Sequence, residues 1–460
     1  MTPIEGRPVL TAAAMRAAEQ LVMADGATET ELMDRAGRAI AEAVGRLAAT
    51  REVLILCGPG NNGGDGYIAA AILAERGTAV RVAAASEPHS EGCRRAAARW
   101  NGPVEALSEA RGAPVLVDAL FGIGLSRGLE DLTVHHLRRL ADKAELRIAV
   151  DLPSGVATDS GQVLSDLPCF DVTLALGTVK PAHLLQPAAS HMGTVRLLDI
   201  GVPVSSTAHV MTSPALPEAG TESHKYNRGM VTIVAGSMSG ASELAAMAAA
   251  RAGAGYVLHL AADAEMAAAR PHAIVRRSFT PDALADERIG AVVIGPGLGR
   301  DDQAKERLHA ALASGRPLVI DGDALRLVDL DTLGHHAGPK ILTPHGGEFS
   351  HLFGDMTADK LTATRDAARR SMAVVVHKGA DTVIAEPGGR AILCPQASPW
   401  LSTAGTGDVL AGAIGAMLAA GLDPVAAAEA GVWLHAQAAR LCGKAFIADD
   451  LADALSAVRG

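Results

Sequence analysis

The sequence predicts two α/β domains in tandem, each a parallel sheet layered between helices. Three observations point there. Strand-like and helical runs alternate from residue 53 onwards. The alternation fails around Gly201–Gly220, where Pro203, Pro214, Pro217, Ser205, Ser206 and Ser213 cluster without periodicity, as in a linker. Hydrophobic residues make up 49% of the chain and aromatics only 3%, so the cores are built of Ala, Val, Leu and Ile. A length of 460 residues allows two to three domains. The expected division is residues 1–205, a linker at 206–221, and residues 222–460.

In the first half, strands are predicted at Val53–Leu56, Val80–Ala84, Val115–Asp118, Arg147–Asp151, Val172–Leu176 and Val195–Asp199. Each is a short aliphatic run without helical spacing. Helical patterns lie between the first four, notably Gly66–Glu75 and Leu132–Lys143, which makes right-handed βαβ units. In the second half strands are predicted at Met230–Ala235, Tyr256–Leu260, Ala291–Ile294, Leu318–Asp321, Ile341–Leu342, Val374–His377, Thr382–Ala385 and Ala391–Cys394. Helices there include Ala241–Ala252 and Asp301–Ala313.

Composition excludes several function classes. A net charge of −10 with no basic patch argues against nucleic acid and anionic membranes as partners. Cys57, Cys93, Cys169, Cys394 and Cys442 are scattered, odd in number and without C-x-x-C spacing, as reduced thiols are. The stretch Met1–Gln20 carries Glu5, Arg7, Arg16 and Glu19 and lacks a signal-peptide apolar block. The longest apolar stretch, Val409–Leu422, is too short to span a bilayer. A cytoplasmic protein is expected. Alanine-rich stretches such as Ala426–Ala439 offer faces for packing within a domain or between subunits, and a homo-oligomer is expected.

The first strand runs into Cys57-Gly58-Pro59-Gly60-Asn61-Asn62-Gly63-Gly64-Asp65-Gly66. Gly58, Gly60 and Gly63 match G-x-G-x-x-G between a strand and a helix, a spacing that lets backbone N–H groups cradle phosphate. The acidic residue that a dinucleotide fingerprint places after the second strand is absent, because Ala83-Ala84-Ala85 stands there. Asn61, Asn62 and Asp65 add polar groups that a turn alone does not need, and they are expected in a loop. Two more strand ends carry similar chemistry, Val117-Asp118-Ala119-Leu120-Phe121-Gly122-Ile123-Gly124 and Val150-Asp151-Leu152-Pro153-Ser154-Gly155. C-terminal strand ends of an open parallel sheet converge on one crevice. That would gather Asn62, Asp118, Asp151 and Ser154, hard oxygen donors suited to a cation. Taken singly, Asp118 and Asp151 serve equally as turn or helix-cap residues.

Asn61-Asn62-Gly63-Gly64-Asp65-Gly66, Asp118-Ala119-Leu120-Phe121-Gly122 and Asp151-Leu152-Pro153-Ser154-Gly155 together resemble the NAD(P)HX epimerase family over roughly residues 10–205. The resemblance implies a Rossmann-like three-layer domain. It implies that Asn61, Asn62, Gly63, Gly64 and Asp65 bind the hydrated nucleotide. Gly122, Ile123, Gly124, Leu125, Ser126, Arg127 and Gly128 would line its phosphates, with Asp151 as acid/base group. Asn62, Asp118 and Ser154 would hold potassium.

The second half carries four signals. Gly295-Pro296-Gly297-Leu298-Gly299 follows a strand and precedes a helix. In Thr343-Pro344-His345-Gly346-Gly347-Glu348-Phe349, His345 stands between turn residues. Lys378-Gly379-Ala380-Asp381-Thr382 ends a strand with a cation that can meet a nucleotide phosphate. Ala404-Gly405-Thr406-Gly407-Asp408 opens a helix, where glycines and the helix dipole build an anion hole. Asp408 beside it is either a base for a hydroxyl attacking phosphorus or a residue that only complements the dipole.

These four runs, with His224-Lys225-Tyr226-Asn227-Arg228-Gly229 and the Gly236-Ser237 turn, resemble the ribokinase-like family that contains the ADP- or ATP-dependent NAD(P)HX dehydratases, over roughly residues 222–458. The loop Gly236-Ser237-Met238-Ser239-Gly240-Ala241 is shorter than that family's usual one and lacks its tyrosine. The resemblance implies that Ala241, Gly299, His345 and Asp408 contact the hydrated nucleotide. Lys378, Gly379, Ala380, Asp381, Thr382 and Gly407 would contact the adenine nucleotide, ADP carried with Mg²⁺. Both halves then imply one bifunctional repair enzyme for the hydrates NADHX and NADPHX, an epimerase joined to an ADP-dependent dehydratase. A ribokinase-like small-molecule kinase fused to a non-catalytic nucleotide-binding module is the alternative.

Overall fold

The computed structural model describes residues 1–262 and 271–459 and divides into two compact units, residues 1–210 and 211–460. In the first unit the order is α1 (Ala12–Ala24), α2 (Glu29–Ala48), β1 (Val53–Cys57), α3 (Asn61–Glu75), β2 (Val80–Ala84), α4 (Glu91–Ala97), β3 (Val104–Ala106), β4 (Val115–Ala119), α5 (Asp131–Ala141), β5 (Leu146–Val150), β6 (Val172–Leu176), β7 (Thr194–Leu198) and β8 (Ala208–Val210). The sheet runs β3-β2-β1-β4-β5-β6-β7, with each neighbouring pair parallel. This is the doubly wound, Rossmann-like order.

β1 shows why such a strand reads as one continuous apolar run. Val53, Ile55 and Cys57 join the core under α2 and α3, whereas Leu54 and Leu56 join the core on the opposite face. Helices cover both faces, so period-two alternation with polar residues vanishes. Each fully buried aliphatic side chain contributes about 1.5–3 kcal/mol.

The second unit runs β9 (Met230–Val234), α6 (Ser239–Arg251), β10 (Tyr256–Ala261), β11 (Val275–Ser278), β12 (Ile289–Ile294), α7 (Asp302–Ala313), β13 (Leu318–Ile320), α8 (Gly322–Leu327), α9 (Leu330–His335), β14 (Lys340–Leu342), α10 (Gly346–Phe353), α11 (Lys360–Ser371), β15 (Val374–His377), β16 (Val383–Ala385), β17 (Ala391–Leu393), α12 (Thr406–Ala419), α13 (Pro424–Cys442) and α14 (Ala448–Arg459). Its sheet order is β11-β10-β9-β12-β13-β14-β15-β16-β17. The pairs are parallel as far as β15; β16 and β17 are antiparallel. α12 and α13 bury alanine and glycine faces in this unit's core, so the Ala426–Ala439 stretch is used within the unit.

Three expectations need correction. The Asn61–Asp65 segment is the first turn of α3, with Gly60 as N-cap, and not a loop. Tertiary packing outweighs the roughly 1 kcal/mol that each helical glycine costs. His345, expected between turn residues, is the N-cap of α10 and forms a reciprocal capping box with Glu348. The stretch expected to be a bare linker contains β8, which bonds back to the chain start through Val9 N–H to Ala208 C=O at 2.8 Å and Val210 N–H to Arg7 C=O at 2.9 Å. Among the described residues no helix is long and apolar enough to cross a membrane.

Candidate active sites

A cavity of about 530 Å³ opens at the C-terminal ends of β1, β4 and β5, around the point where the strand order reverses. The glycine spacing makes it possible. A Cβ on Gly58 would stand 1.7 Å from the Leu120 carbonyl oxygen, and one on Gly63 1.9 Å from the Gly58 carbonyl oxygen. Gly60 has open space and lines the cavity. Two glycines therefore pack backbone on backbone, and the third leaves room for a ligand.

Asn61, Asn62, Asp65, Gly122, Ile123, Gly124, Leu125 and Asp151 line this cavity. Gly63 and Gly64 do not; Gly64 faces the Met33 sulfur. Ser126, Arg127 and Gly128 lie beyond the lining, and Gly128 runs against the Leu164 carbonyl. Asn61 donates to Glu29 at 3.0 Å and accepts from Ser90 at 2.8 Å.

Asp151 follows β5 in the left-handed region, at φ +62°. That conformation costs a non-glycine residue about 1 kcal/mol or more. Four bonds hold it. Its N–H donates to Leu174 C=O at 2.8 Å, and its Oδ1 accepts from Leu176 N–H at 3.1 Å and from Lys180 Nζ at 2.6 Å. Its carbonyl accepts from His183 Nε2 at 2.6 Å. His183 Nδ1 accepts the Lys180 N–H at 2.9 Å, so the ring is a neutral Nε2–H tautomer. Burial pushes that histidine down to about 4. Lys180 and His183 escaped the sequence reading. The available signal was a lysine just past the end of β6, ahead of Pro181.

Three more carboxyls share this region. Burial, then the Asp151 and Glu19 charges, push Asp65 well above the ordinary carboxylate range. Burial raises Glu19 on α1 as well, with Lys180 opposing. Asp118 sits beneath, fully buried; it accepts from Ser154 Oγ at 2.6 Å, Ser154 N–H at 2.9 Å and Leu120 N–H at 3.1 Å. Burial raises its pKa against those bonds, and among the described residues no cationic side chain is paired with it. The Asn62 amide nitrogen is buried without a partner among the described residues, and its Oδ1 faces Gly122.

In the second unit a cavity of about 310 Å³ is lined by Lys378, Gly379, Ala380, Thr382, Thr406, Gly407 and His435, among others. Asp381 lies outside the lining, and its carboxylate accepts from Lys360 Nζ at 2.6 Å. His435 Nε2 donates to the Thr406 carbonyl at 2.9 Å and so braces the turn that starts α12. Gly405 makes that turn at φ +90°. The N–H groups of Gly407 and Asp408 have no acceptor among the described residues.

Lys378 links the charges around this turn. Its Nζ donates to Asp321 Oδ1 at 2.6 Å and lies 3.9 Å from Glu348. Asp321 also accepts from Thr343 Oγ1 at 2.7 Å. Burial opposes the Lys378 charge, but Asp321, Glu348 and Asp408 outweigh it and hold its pKa above the usual value. Asp408 is pushed up to about 7, chiefly by burial and then by the Asp321 charge, with Lys378 opposing. A carboxylate near 7 is tuned for proton transfer at neutral pH. Asp321 and Glu348 were missed as parts of this site; Asp321 closes a strand that was predicted.

The remaining predicted contacts follow the C-terminal ends of β9, β12 and β14 in the same sheet. The Gly299 N–H donates to Asp323 at 3.0 Å, and Asp323 is one of the charges acting on Asp408. Ala241 lies against Gly297 near the start of α6. His345 keeps an exposed ring, with Nε2 3.4 Å from Glu348.

The family described as YjeF-related protein N-terminus matches residues 29–182, and the family described as NAD(P)H-hydrate dehydratase matches residues 231–458. A bifunctional NAD(P)H-hydrate repair enzyme from Coxiella burnetii is 33% identical, over 92% of this chain and 93% of its own. Its namesake in Gloeobacter violaceus is 35% identical, over 93% of this chain and 92% of its own. A ribokinase-like superfamily protein from Enterococcus faecalis shares the second unit's fold, with a TM-score of 0.50 at 23% identity over 55% of this chain and 96% of its own. With both domain families matched in the same chain and such relatives spanning nearly its whole length, the chain belongs to the bifunctional NAD(P)H-hydrate repair enzyme family.

Proposed function

We propose that this chain repairs NADHX and NADPHX by two activities, one in each unit. The first unit interconverts the R and S hydrates at nicotinamide carbon 6. The second dehydrates the S hydrate with ADP as phosphoryl donor, releasing NAD(P)H, AMP and phosphate. The observation that carries the reading is Asp408, a carboxyl tuned to about 7 beside unpartnered helix N-terminal amides and a nucleotide-sized cavity.

In the dehydratase, Asp408 takes the proton of the carbon 6 hydroxyl as that oxygen attacks the β-phosphorus of ADP and AMP departs. Lys378 and the Gly407 amide stabilise charge on the transferred group. Hydroxide becomes phosphate, a good leaving group. Its carbon–oxygen bond breaks as the ring nitrogen lone pair moves in, and loss of a proton from carbon 5 restores the double bond. Asp321 and Glu348 supply carboxylates in excess of the Lys378 charge, a set that fits Mg²⁺ arriving on the ADP phosphates. The metal would neutralise phosphate charge there.

In the epimerase, Asp151 is the proton carrier and Lys180 orients it through the 2.6 Å bond to Oδ1. Asp65, held toward its neutral form, supplies the complementary acid. Asn62, Asp118 and Ser154 offer oxygen donors, and the buried Asp118 carboxylate has no paired cation among the described residues, which fits potassium. The ion would neutralise Asp118 and support the Gly122 loop.

The test is a repair assay with racemic NADHX, ADP and Mg²⁺, following the absorbance of intact NADH. Recovery of the full hydrate pool supports both activities. Recovery that stops at the S fraction removes the epimerase, and no recovery with either ADP or ATP removes the dehydratase.

A further inference from the structure

The first unit's cavity has acidic walls, with Glu19, Glu29, Asp65 and Asp151 all in its lining. A dinucleotide bearing phosphates enters such a space only where cations offset the repulsion. Two cationic side chains line it, Arg16 and Lys180. Lys180 is spent, since its Nζ donates to Asp151 and to the Leu176 carbonyl, each at 2.6 Å. Arg16, on the exposed side of α1, donates to no carboxylate or carbonyl among the described residues.

Its position is specific. Arg16 Nη1 lies 3.2 Å from where a Cβ on Gly124 would stand, and Gly124 sits at φ +116°. The guanidinium therefore rests by the Gly122–Gly124 turn. The N–H groups of Gly122, Ile123 and Gly124 have no acceptor among the described residues. Successive free amides form an anion-binding concavity, and a guanidinium grips phosphate oxygens with paired N–H groups. Arg16 and the three residues that carry these amides line one cavity.

We infer that Arg16 binds the pyrophosphate of the hydrated dinucleotide, together with the Gly122–Gly124 amides. This rests on the epimerase reading of the same cavity. Arg16 is a binding residue only; it holds the phosphates at the mouth and leaves the nicotinamide end to Asp151 and Asp65. The pyrophosphate is common to both hydrates, so Arg16 serves them equally.

The test uses the full chain with Arg16→Ala and Arg16→Lys, measuring epimerisation of NADHX and of NADPHX. A charge-assisted pair lost to solvent predicts a KM increase of about 10- to 100-fold in Arg16→Ala. The increase is expected to be equal for both substrates, with kcat nearly unchanged and Arg16→Lys intermediate. ADP-ribose, which keeps the pyrophosphate and lacks the nicotinamide, should weaken as an epimerase inhibitor by the same factor. Dehydration of the S hydrate by the same variant should not change. An unchanged KM overturns the inference. So does a KM increase confined to NADPHX, which would put Arg16 at the ribose phosphate, or a collapse of kcat alone. A wild-type chain without epimerisation sinks the epimerase reading itself, whereas active wild type with an indifferent Arg16→Ala sinks only the role of Arg16.

Discussion

Asp408→Asn is expected to stop dehydration and at the same time to stabilise the second unit. The carboxyl titrates at about 7 in the folded chain against an ordinary 3.8, because burial and the Asp321 charge disfavour its ionised form. The folded state thus binds this proton more tightly than the unfolded chain does. The resulting stability is fully present below the unfolded value and is lost as pH rises through 7. At 1.36 kcal/mol per pH unit the full penalty on the ionised form is roughly 4 kcal/mol. Asp408 is only partly buried, and solvent screening brings the expected penalty to about 1–2 kcal/mol. Asparagine keeps the shape and carries no charge. The second unit should therefore melt about 2–8 °C higher in the variant at about pH 8.5 and show little difference at about pH 5.5. Turnover should fall about 10²- to 10⁴-fold. In the wild type, kcat/KM for the S hydrate should rise tenfold per pH unit up to about 7 and then level off. Thermal melts at the two pH values and NADH recovery from pure S hydrate measure all three quantities. A melting gain independent of pH, or near-normal turnover in the variant, would refute the reasoning.

Two further perturbations separate the units. Lys180→Met leaves Asp151 buried without its counter-charge, so epimerisation should drop at least about 100-fold and the first unit lose about 3–5 kcal/mol, while dehydration by the same chain persists; a variant that epimerises normally would remove Lys180 from the site. Gly58→Ala places a methyl 1.7 Å from the Leu120 carbonyl oxygen, a clash of backbone on both sides. Denaturant unfolding should show a loss of about 3 kcal/mol or more, and a wild-type midpoint would contradict the packing described for the β1–β4 crevice.

Much of this was legible in the chain itself. β2, β6 and β15 match their predicted bounds, because a central strand buried on both faces is a local aliphatic run. The strands that went unread are β3, β8 and β11, each short and poor in continuous apolar sequence. Asn62, Asp118, Asp151 and Ser154 are read as candidates from strand ends and a glycine turn, whereas contacts such as Ala241 and Gly299 come from the family resemblance alone. The helical start at Asn61 was not read, because glycines argue against a helix unless something presses on them, and here the Gly58 backbone and Met33 do so.

The sequence by itself determined the two-unit α/β plan, the crevice at the strand ends and the family, since periodicity and turn chemistry are local properties. Tertiary structure alone decided which charges meet. Lys180 reaches Asp151 from beyond the end of β6, Asp321 and Lys378 converge on Asp408 from the ends of separate strands, and Arg16 rests by the Gly124 turn from α1. Proton affinity and anion binding depend on distance and burial, and those exist only once the strands have been placed side by side.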